Sequence, residues 1–265
     1  MIRKIIGRNL EKSSTGLFLL KIRRDFTDFL GNYRYTRLVS IFKMWKLKDK
    51  YKGKRCFIIG NGPSLKKTKL SLLKNEYTFG LNRIYLMFDE MGFQPSFYVC
   101  MNNLVIDQTH KDINRLSMPK FISIRSNKKI KFDTETIFLK SIDSQALPFN
   151  PTEGVWEGAT VTYVAMQLAY YMGFSEVILV GVDHSFETKG TPHKVVVSKG
   201  DDKDHFNKNY FGKGFRWQLP GLETSEIAYR IADYVFQEDG REILDATVDG
   251  KLDVFPKIKL EKLFE

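Results

Sequence analysis

Residues 54–65, Lys-Arg-Cys-Phe-Ile-Ile-Gly-Asn-Gly-Pro-Ser-Leu, constrain the fold more than any other stretch. Arg55 to Ile59 is a short, largely apolar run, the pattern of a buried strand. Gly60-Asn61-Gly62-Pro63 stops it, because neither a strand nor a helix continues through such a tetrapeptide. Ser64 is then a candidate N-cap, and Leu65 to Leu73 places apolar residues at helical spacing. Strand, glycine turn and helix together open a mononucleotide-binding unit. Glycines let the backbone approach a phosphate or ribose, and free amides at a helix start favour an anion. The dinucleotide pattern G-x-G-x-x-G is broken at Leu65, and no Gly-Lys-Ser/Thr follows as in an NTPase phosphate loop. The turn is read as a nucleotide site, with a plain β–α turn as the alternative.

A chain of 265 residues with 43% hydrophobic content suits one α/β domain with an appendage. Cys56 and Cys100 both fall in strand-like runs, so buried thiols are expected and no disulfide framework or zinc pattern is present. No apolar run is long enough to span a bilayer, and the N-terminus lacks a signal-peptide pattern, so a cytoplasmic location is expected. The charge is uneven. Residues 1–50 hold 13 Lys and Arg against 4 Asp and Glu, whereas the whole chain is +11. The body is therefore near neutral behind a basic arm over residues 1–49. Within 17–47, Phe18, Phe26, Phe29, Phe42 and Trp45 alternate with Arg and Lys, the pattern of basic amphipathic helices. Such an arm packs on its own domain, on a partner subunit of a homo-oligomer, or peripherally on the anionic inner face of the cytoplasmic membrane. No nucleic-acid signature is found.

Beyond the first unit, strands are read over 77–81, 97–101, 121–124, 137–139 and 176–182. They stop at Asn82-Arg83, Asn102-Asn103, Arg125-Ser126-Asn127, Lys140-Ser141 and Asp183-His184. Ligands of an open parallel sheet sit outside the carboxyl ends of its strands. Repeated polar residues at those ends therefore mark a shared cleft. Asn61, Asn82 and Asn102 carry uncharged amides, able to read a base or ribose beside an anionic phosphate. A helix of small and apolar residues is expected from Ala159 to Met172, its N-terminus near Thr160 favourable to an anion. A core helix is expected over 222–237 and a strand over 241–245, with Asp245, Thr247 and Asp249 near the cleft rim. Residues 184–218 read as an irregular lid. It holds His184, His193 and His205, and Asp202-Lys203-Asp204 has the Asp-x-Asp spacing of metal-dependent glycosyltransferases as a lone match. A zinc site from Asp183 and the three histidines lacks standard spacing.

Several of these stretches carry a resemblance. Gly60-Asn61-Gly62-Pro63-Ser64-Leu65, Asn82, Asn102 and Gly181-Val182-Asp183 resemble bacterial CMP-sialic acid-dependent lipooligosaccharide sialyltransferases. Residues 50–256 more closely resemble the 6-hydroxymethylpterin diphosphokinase-like domain family, shared with motility-associated flagellin glycosyltransferases. Gly181-Val182-Asp183-His184-Ser185-Phe186, Tyr210-Phe211-Gly212-Lys213-Gly214 and Gly240-Arg241-Glu242-Ile243-Leu244-Asp245 carry it.

The resemblance implies a Rossmann-like, mostly parallel α/β catalytic domain over residues 50–265. It further implies transfer from a nucleotide-activated sugar, such as a CMP-linked nonulosonate, to a saccharide or glycolipid acceptor. Gly60, Asn61, Gly62, Pro63, Ser64, Asn82, Asn102, Thr160 and Asp183 would bind the donor. His205 would be the general base of an inverting reaction. Those sialyltransferases hold the leaving phosphate with tyrosines, one of which is replaced here by Ser185, so Lys194, Lys213 and Arg216 are the candidate phosphate partners. No cofactor is implied. The alternative is diphosphate transfer from ATP to a pterin alcohol, with Mg²⁺ held by Asp183, Asp202 or Asp204. A third reading is a non-catalytic nucleotide-binding accessory protein.

Overall fold

The computed structural model describes residues 33–265, apart from 145, 146, 148 and 189. The expectations for residues 1–32 lie outside the described residues. The centre is a seven-stranded parallel sheet. Its strands are β1 (Arg55–Ile59), β2 (Tyr77–Leu81), β3 (Phe97–Cys100), β4 (Lys120–Ser123), β5 (Thr136–Leu139), β8 (Glu176–Val180) and β11 (Glu242–Asp245). Two short pairs lie apart from it: β6 (Ser141–Ile142) with β7 (Val155–Trp156), and β9 (Val195–Val197) with β10 (Arg216–Gln218).

The strand order is β11-β8-β1-β2-β3-β4-β5. The chain runs outward from β1 to β5, then crosses back to lay β8 on the other side of β1, with Ile59 opposite Val180. The order reverses between β1 and β8, which is where an open parallel sheet leaves a crevice. Both faces are buried, as a parallel sheet requires. Cys56 and Ile58 belong to one core, Phe57 and Ile59 to the other. The first core holds helices α1 (Tyr33–Trp45), α3 (Val161–Tyr171) and α4 (Leu222–Glu238); the second holds α2 (Asn103–Ile113) and residues of the lid. Burial pushes the Cys100 thiol up to about 12 and the Cys56 thiol well above its ordinary value, so neither is a nucleophile.

One expectation changes. The predicted helix over 65–73 is instead two 3₁₀ turns, Pro63–Lys67 and Leu70–Leu73. Between Leu65 and Leu70 the run Lys66-Lys67-Thr68-Lys69 offers nothing to bury, so no continuous apolar face exists to stabilise an α-helix. The described part of the basic arm docks on the sheet. On α1, the Ser40 hydroxyl accepts from the Phe138 amide at 2.9 Å, and Lys43 donates to the Asp133 and Thr136 carbonyls. This helix therefore covers edge strand β5, a strand flank that would otherwise be open to pairing.

Candidate functional site

The crevice between β1 and β8 holds a cavity of about 150 Å³. Gly60, Asn61 and Gly62 line it from β1, Asn82 from β2, Thr160 from the start of α3, and Asp183 and His184 from β8. His205 closes it from the lid, and Ser225 and Tyr229 face it from α4. A second cavity, of about 230 Å³, adjoins it. The two share Asn82, Ala159, Thr160, Phe186 and His205, so His205 stands at their boundary. Asn102 lines only the second. Pro63 is exposed and Ser64 is buried behind the turn, and neither lines a cavity wall.

The glycine turn is shaped by protein rather than left open. Gly60 and Gly62 donate to the Val180 and Gly181 carbonyls, Leu65 donates to Gly62, and Pro63 has no amide hydrogen. The Ser64 amide and hydroxyl both donate to the Asp183 carboxylate, at 3.0 and 2.6 Å. Of the turn's amides, those of Gly60, Gly62, Ser64 and Leu65 are thus paired within the protein. A carboxylate of the chain occupies the anion position at Ser64. Burial pushes the Asp183 carboxyl above its usual range, against the lowering by the Ser64 hydrogen bonds. Asp183 is thus the cap of the turn.

The asparagines divide. The Oδ1 atoms of Asn61 and Asn82 are buried without a hydrogen-bond partner beside the first cavity. Asn82 adopts φ +47°, and Tyr98 Oη donates to its carbonyl at 2.5 Å. Asn102 differs: its Oδ1 caps α2 by accepting from the Leu104 and Val105 amides, and its Nδ2 reaches Gln218. Asn102 nevertheless lines the second cavity. Thr160 caps α3, accepting from the Thr162 amide, and lies 3.3 Å from Tyr229 Oη. Non-glycine residues in left-handed backbone collect here: Asn82, Ala159 and His184 in the first cavity, His193 in the second. Such conformations cost about 1–3 kcal/mol each and concentrate at functional sites.

The lid is more ordered than its sequence implies. Phe206 donates its amide to the Asn61 carbonyl, Arg83 donates to the carbonyls of Asn209 and Tyr210, and β9 pairs with β10. His205 stacks on Tyr210 with ring centroids 4.0 Å apart. Its Nδ1 lies 2.9 Å from Asp202 Oδ2, and the two side chains are 12% and 5% exposed. Burial alone would raise the Asp202 carboxyl. Hydrogen bonds from His205 and the Asp204 and Phe211 amides outweigh it and hold the carboxyl below its usual range. Asp202 stays ionised, fixes the ring, and leaves Nε2 as the nitrogen without a protein partner among the described residues.

The lone Asp-x-Asp match has both of its carboxylates engaged within the protein. Asp202 is held as described, and Asp204 accepts from the Glu187 amide and the Thr188 hydroxyl. With Asp183 bound to Ser64, all three candidate carboxylates already accept protein hydrogen bonds. The donor set does not fit a Mg²⁺ clamp, and among the described residues no cluster of three or more such ligands forms. Lys194, Lys213 and Arg216 are exposed and line neither cavity. Asp245 is buried in an ion pair with Lys257 and Asp249 pairs with Lys67, so neither reaches the cleft. One pair was missed from sequence: His184 Nε2 lies 2.9 Å from Glu226 on α4. Helix 222–238 reads as a plain core stripe, yet Ser225, Glu226 and Tyr229, at i, i+1 and i+4, turn toward the cleft.

A seven-stranded parallel sheet with helices around it and a polar crevice at its strand-order reversal defines a Rossmann-like α/β domain. The family model for 6-hydroxymethylpterin diphosphokinase MptE-like proteins matches residues 28–189, and the chain belongs to that family. The match begins within the basic arm and ends before His205. Among solved structures, the chain is similar to the MAf glycosyltransferase from Magnetospirillum magneticum AMB-1. The identity is 12% and the TM-score 0.49, over 94% of this chain and 42% of that one. This chain therefore spans less than half of that protein's length. No curated protein matches the chain.

Proposed function

We propose that the protein is a glycosyltransferase that moves a sugar from a nucleotide-activated donor to a saccharide or glycolipid acceptor. The observation that carries this reading is the Asp202–His205 pair at the boundary of two adjoining cavities. The donor nucleotide fills the first cavity, against Asn61, Asn82 and the N-terminus of α3. The acceptor enters through the second. Its hydroxyl oxygen bonds to the anomeric carbon as the bond from that carbon to the phosphate oxygen breaks. The bonding pair leaves on the phosphate, and the hydroxyl proton passes to His205 Nε2. Attack from the face opposite the leaving group inverts the configuration. Among the described residues, neither cavity is lined by Lys or Arg. That favours a leaving group with a single phosphate, such as a CMP-linked nonulosonate, over a triphosphate. It also disfavours the ATP-dependent diphosphate transfer that the family's name carries.

The test is thermal unfolding with CMP, UDP, GDP, and ATP with Mg²⁺. CMP at about 100 times its Kd should stabilise the protein by about 2.7 kcal/mol. Stabilisation by ATP with Mg²⁺ and none by CMP replaces this reading with diphosphate transfer.

We place the enzyme on an anionic membrane surface. No described helix is long and apolar enough to cross a membrane. Tyr35, Leu38, Phe42 and Trp45, at heptad-like spacing on α1, are all more than half exposed, with Arg34, Lys46 and Lys48 exposed beside them. Aromatic and basic residues on one face suit an anionic headgroup layer. The full chain should sediment with phosphatidylserine-containing vesicles at low salt. Phe42→Glu with Trp45→Glu should abolish this and leave nucleotide binding intact. Equal sedimentation of both proteins removes the assignment.

A further inference from the structure

Arg125 follows β4 in the 3₁₀ turn Ile124–Ser126, half-buried, and its Nε is buried without a hydrogen-bond partner. A buried, unpaired guanidinium nitrogen is costly and rare in a finished fold. Arg125 lines a third cavity, of about 640 Å³, outside the carboxyl ends of β3, β4 and β5. This cavity shares Met101, Asn102, Glu157, Ala159, His193 and Gln218 with the second. The three cavities therefore form one groove along the carboxyl edge of the sheet, with His205 between the first two.

Among the described residues, Arg125 is the only Lys or Arg lining any of the three. Two carboxylates share its cavity, Asp143 and Glu157, and Glu157 is held by the Ser141 hydroxyl at 2.5 Å. Neither comes within ion-pair distance of Arg125. Trp156 adds an aromatic wall, half-buried and edge-on to Tyr163. An indole, side-chain amides and a guanidinium whose Nε has no protein partner form a lining suited to a sugar that bears an anion.

We propose that this third cavity is an acceptor subsite for an acidic sugar, whose carboxylate or phosphate is paired by Arg125. The inference rests on the glycosyltransferase reading, because it takes the groove beyond His205 as the acceptor path. Guanidinium binds either oxyanion through two parallel hydrogen bonds, so the group is defined by its charge and planarity of contact.

The test uses ligand-observed NMR with CMP present, and three matched probes: methyl glucuronide, glucose 6-phosphate and neutral methyl glucoside. A hydrogen bond to a charged group contributes about 1.5–3 kcal/mol, or roughly ten- to a hundredfold in Kd. At least one acidic probe should bind about tenfold or more tighter than the glucoside. Arg125→Gln should remove that difference, and Arg125→Lys should restore part of it. The preference between the two acidic probes tells carboxylate from phosphate. The CMP melting shift should be unchanged in both variants, which also shows that they fold. Equal binding of all three probes to the unaltered protein overturns the proposal. So does an acidic preference that survives Arg125→Gln, or loss of CMP binding in that variant, which would place Arg125 in the donor site. Failure of CMP to stabilise the unaltered protein would instead refute the glycosyltransferase reading.

Discussion

His205→Ala should lose turnover by about 10²–10⁴-fold, the usual contribution of a positioned general base. Donor affinity should change by less than about threefold, because the ring touches the boundary between donor and acceptor rather than the floor of the donor cavity. The lid packs around this ring through Tyr210 and Phe211, so some loss of stability is expected alongside. Asp202→Asn keeps the imidazole in place while weakening its hold on Nδ1, and should lose less turnover than His205→Ala. His193→Ala should do far less, since that side chain lines the second cavity without a carboxylate holding it. Single-turnover transfer, with CMP affinity measured separately, distinguishes these effects. Full activity in His205→Ala removes the base assignment, and lost CMP binding makes His205 a donor-site or structural residue.

The second large effect is expected at Gly62. Its backbone is ordinary, at φ −70° and ψ 161°, so left-handed strain plays no part. A Cβ there would lie 1.7 Å from Asp183 Oδ2 and 2.3 Å from its Cγ. The carboxylate must then leave, and the Ser64 amide and hydroxyl lose their acceptor. Gly62→Ala should cost about 3 kcal/mol in urea unfolding, from the clash and from the buried donors left unpaired. It should also weaken CMP binding, because Asn61 moves with the turn. The explanation requires coupling. In an Asp183→Ala background most of the clash is gone, and adding Gly62→Ala should cost less than about 1 kcal/mol. The same penalty in both backgrounds would show that the cause lies elsewhere.

The strands were legible because each is a short run buried on both faces, which composition and punctuation reveal together. Arg55–Ile59, Tyr77–Leu81 and Phe97–Cys100 fall where the apolar runs put them. The polar residues at successive strand ends pointed to a shared cleft, whereas the strand order that places it between β1 and β8 is visible only in the structure. What sequence could not assign was the partner of each polar side chain. Asn82 and Asn102 look alike as strand-end amides, yet one leaves its oxygen unpaired and the other caps a helix, because a helix follows only the second. Asp202 looked like a metal ligand because of Asp204, whereas its meaningful neighbour is His205, three residues on. Glu226 carried no visible signal, since its partner His184 lies 42 residues away in the chain.

The pairing of β1 with β8 also bears on how the molecule comes into being. The glycine turn and Asp183 face each other across the first cavity because of it, yet it joins segments on opposite sides of a long excursion through β2 to β5. Contacts between distant segments form late, since the entropy of closing such a loop is lost before its contacts are gained. On the ribosome, β1 to β5 emerge and can associate while their free flank at β1 still lacks β8. The first cavity is therefore completed late, and a refolding chain should recover its helical signal before the crevice between β1 and β8 is closed.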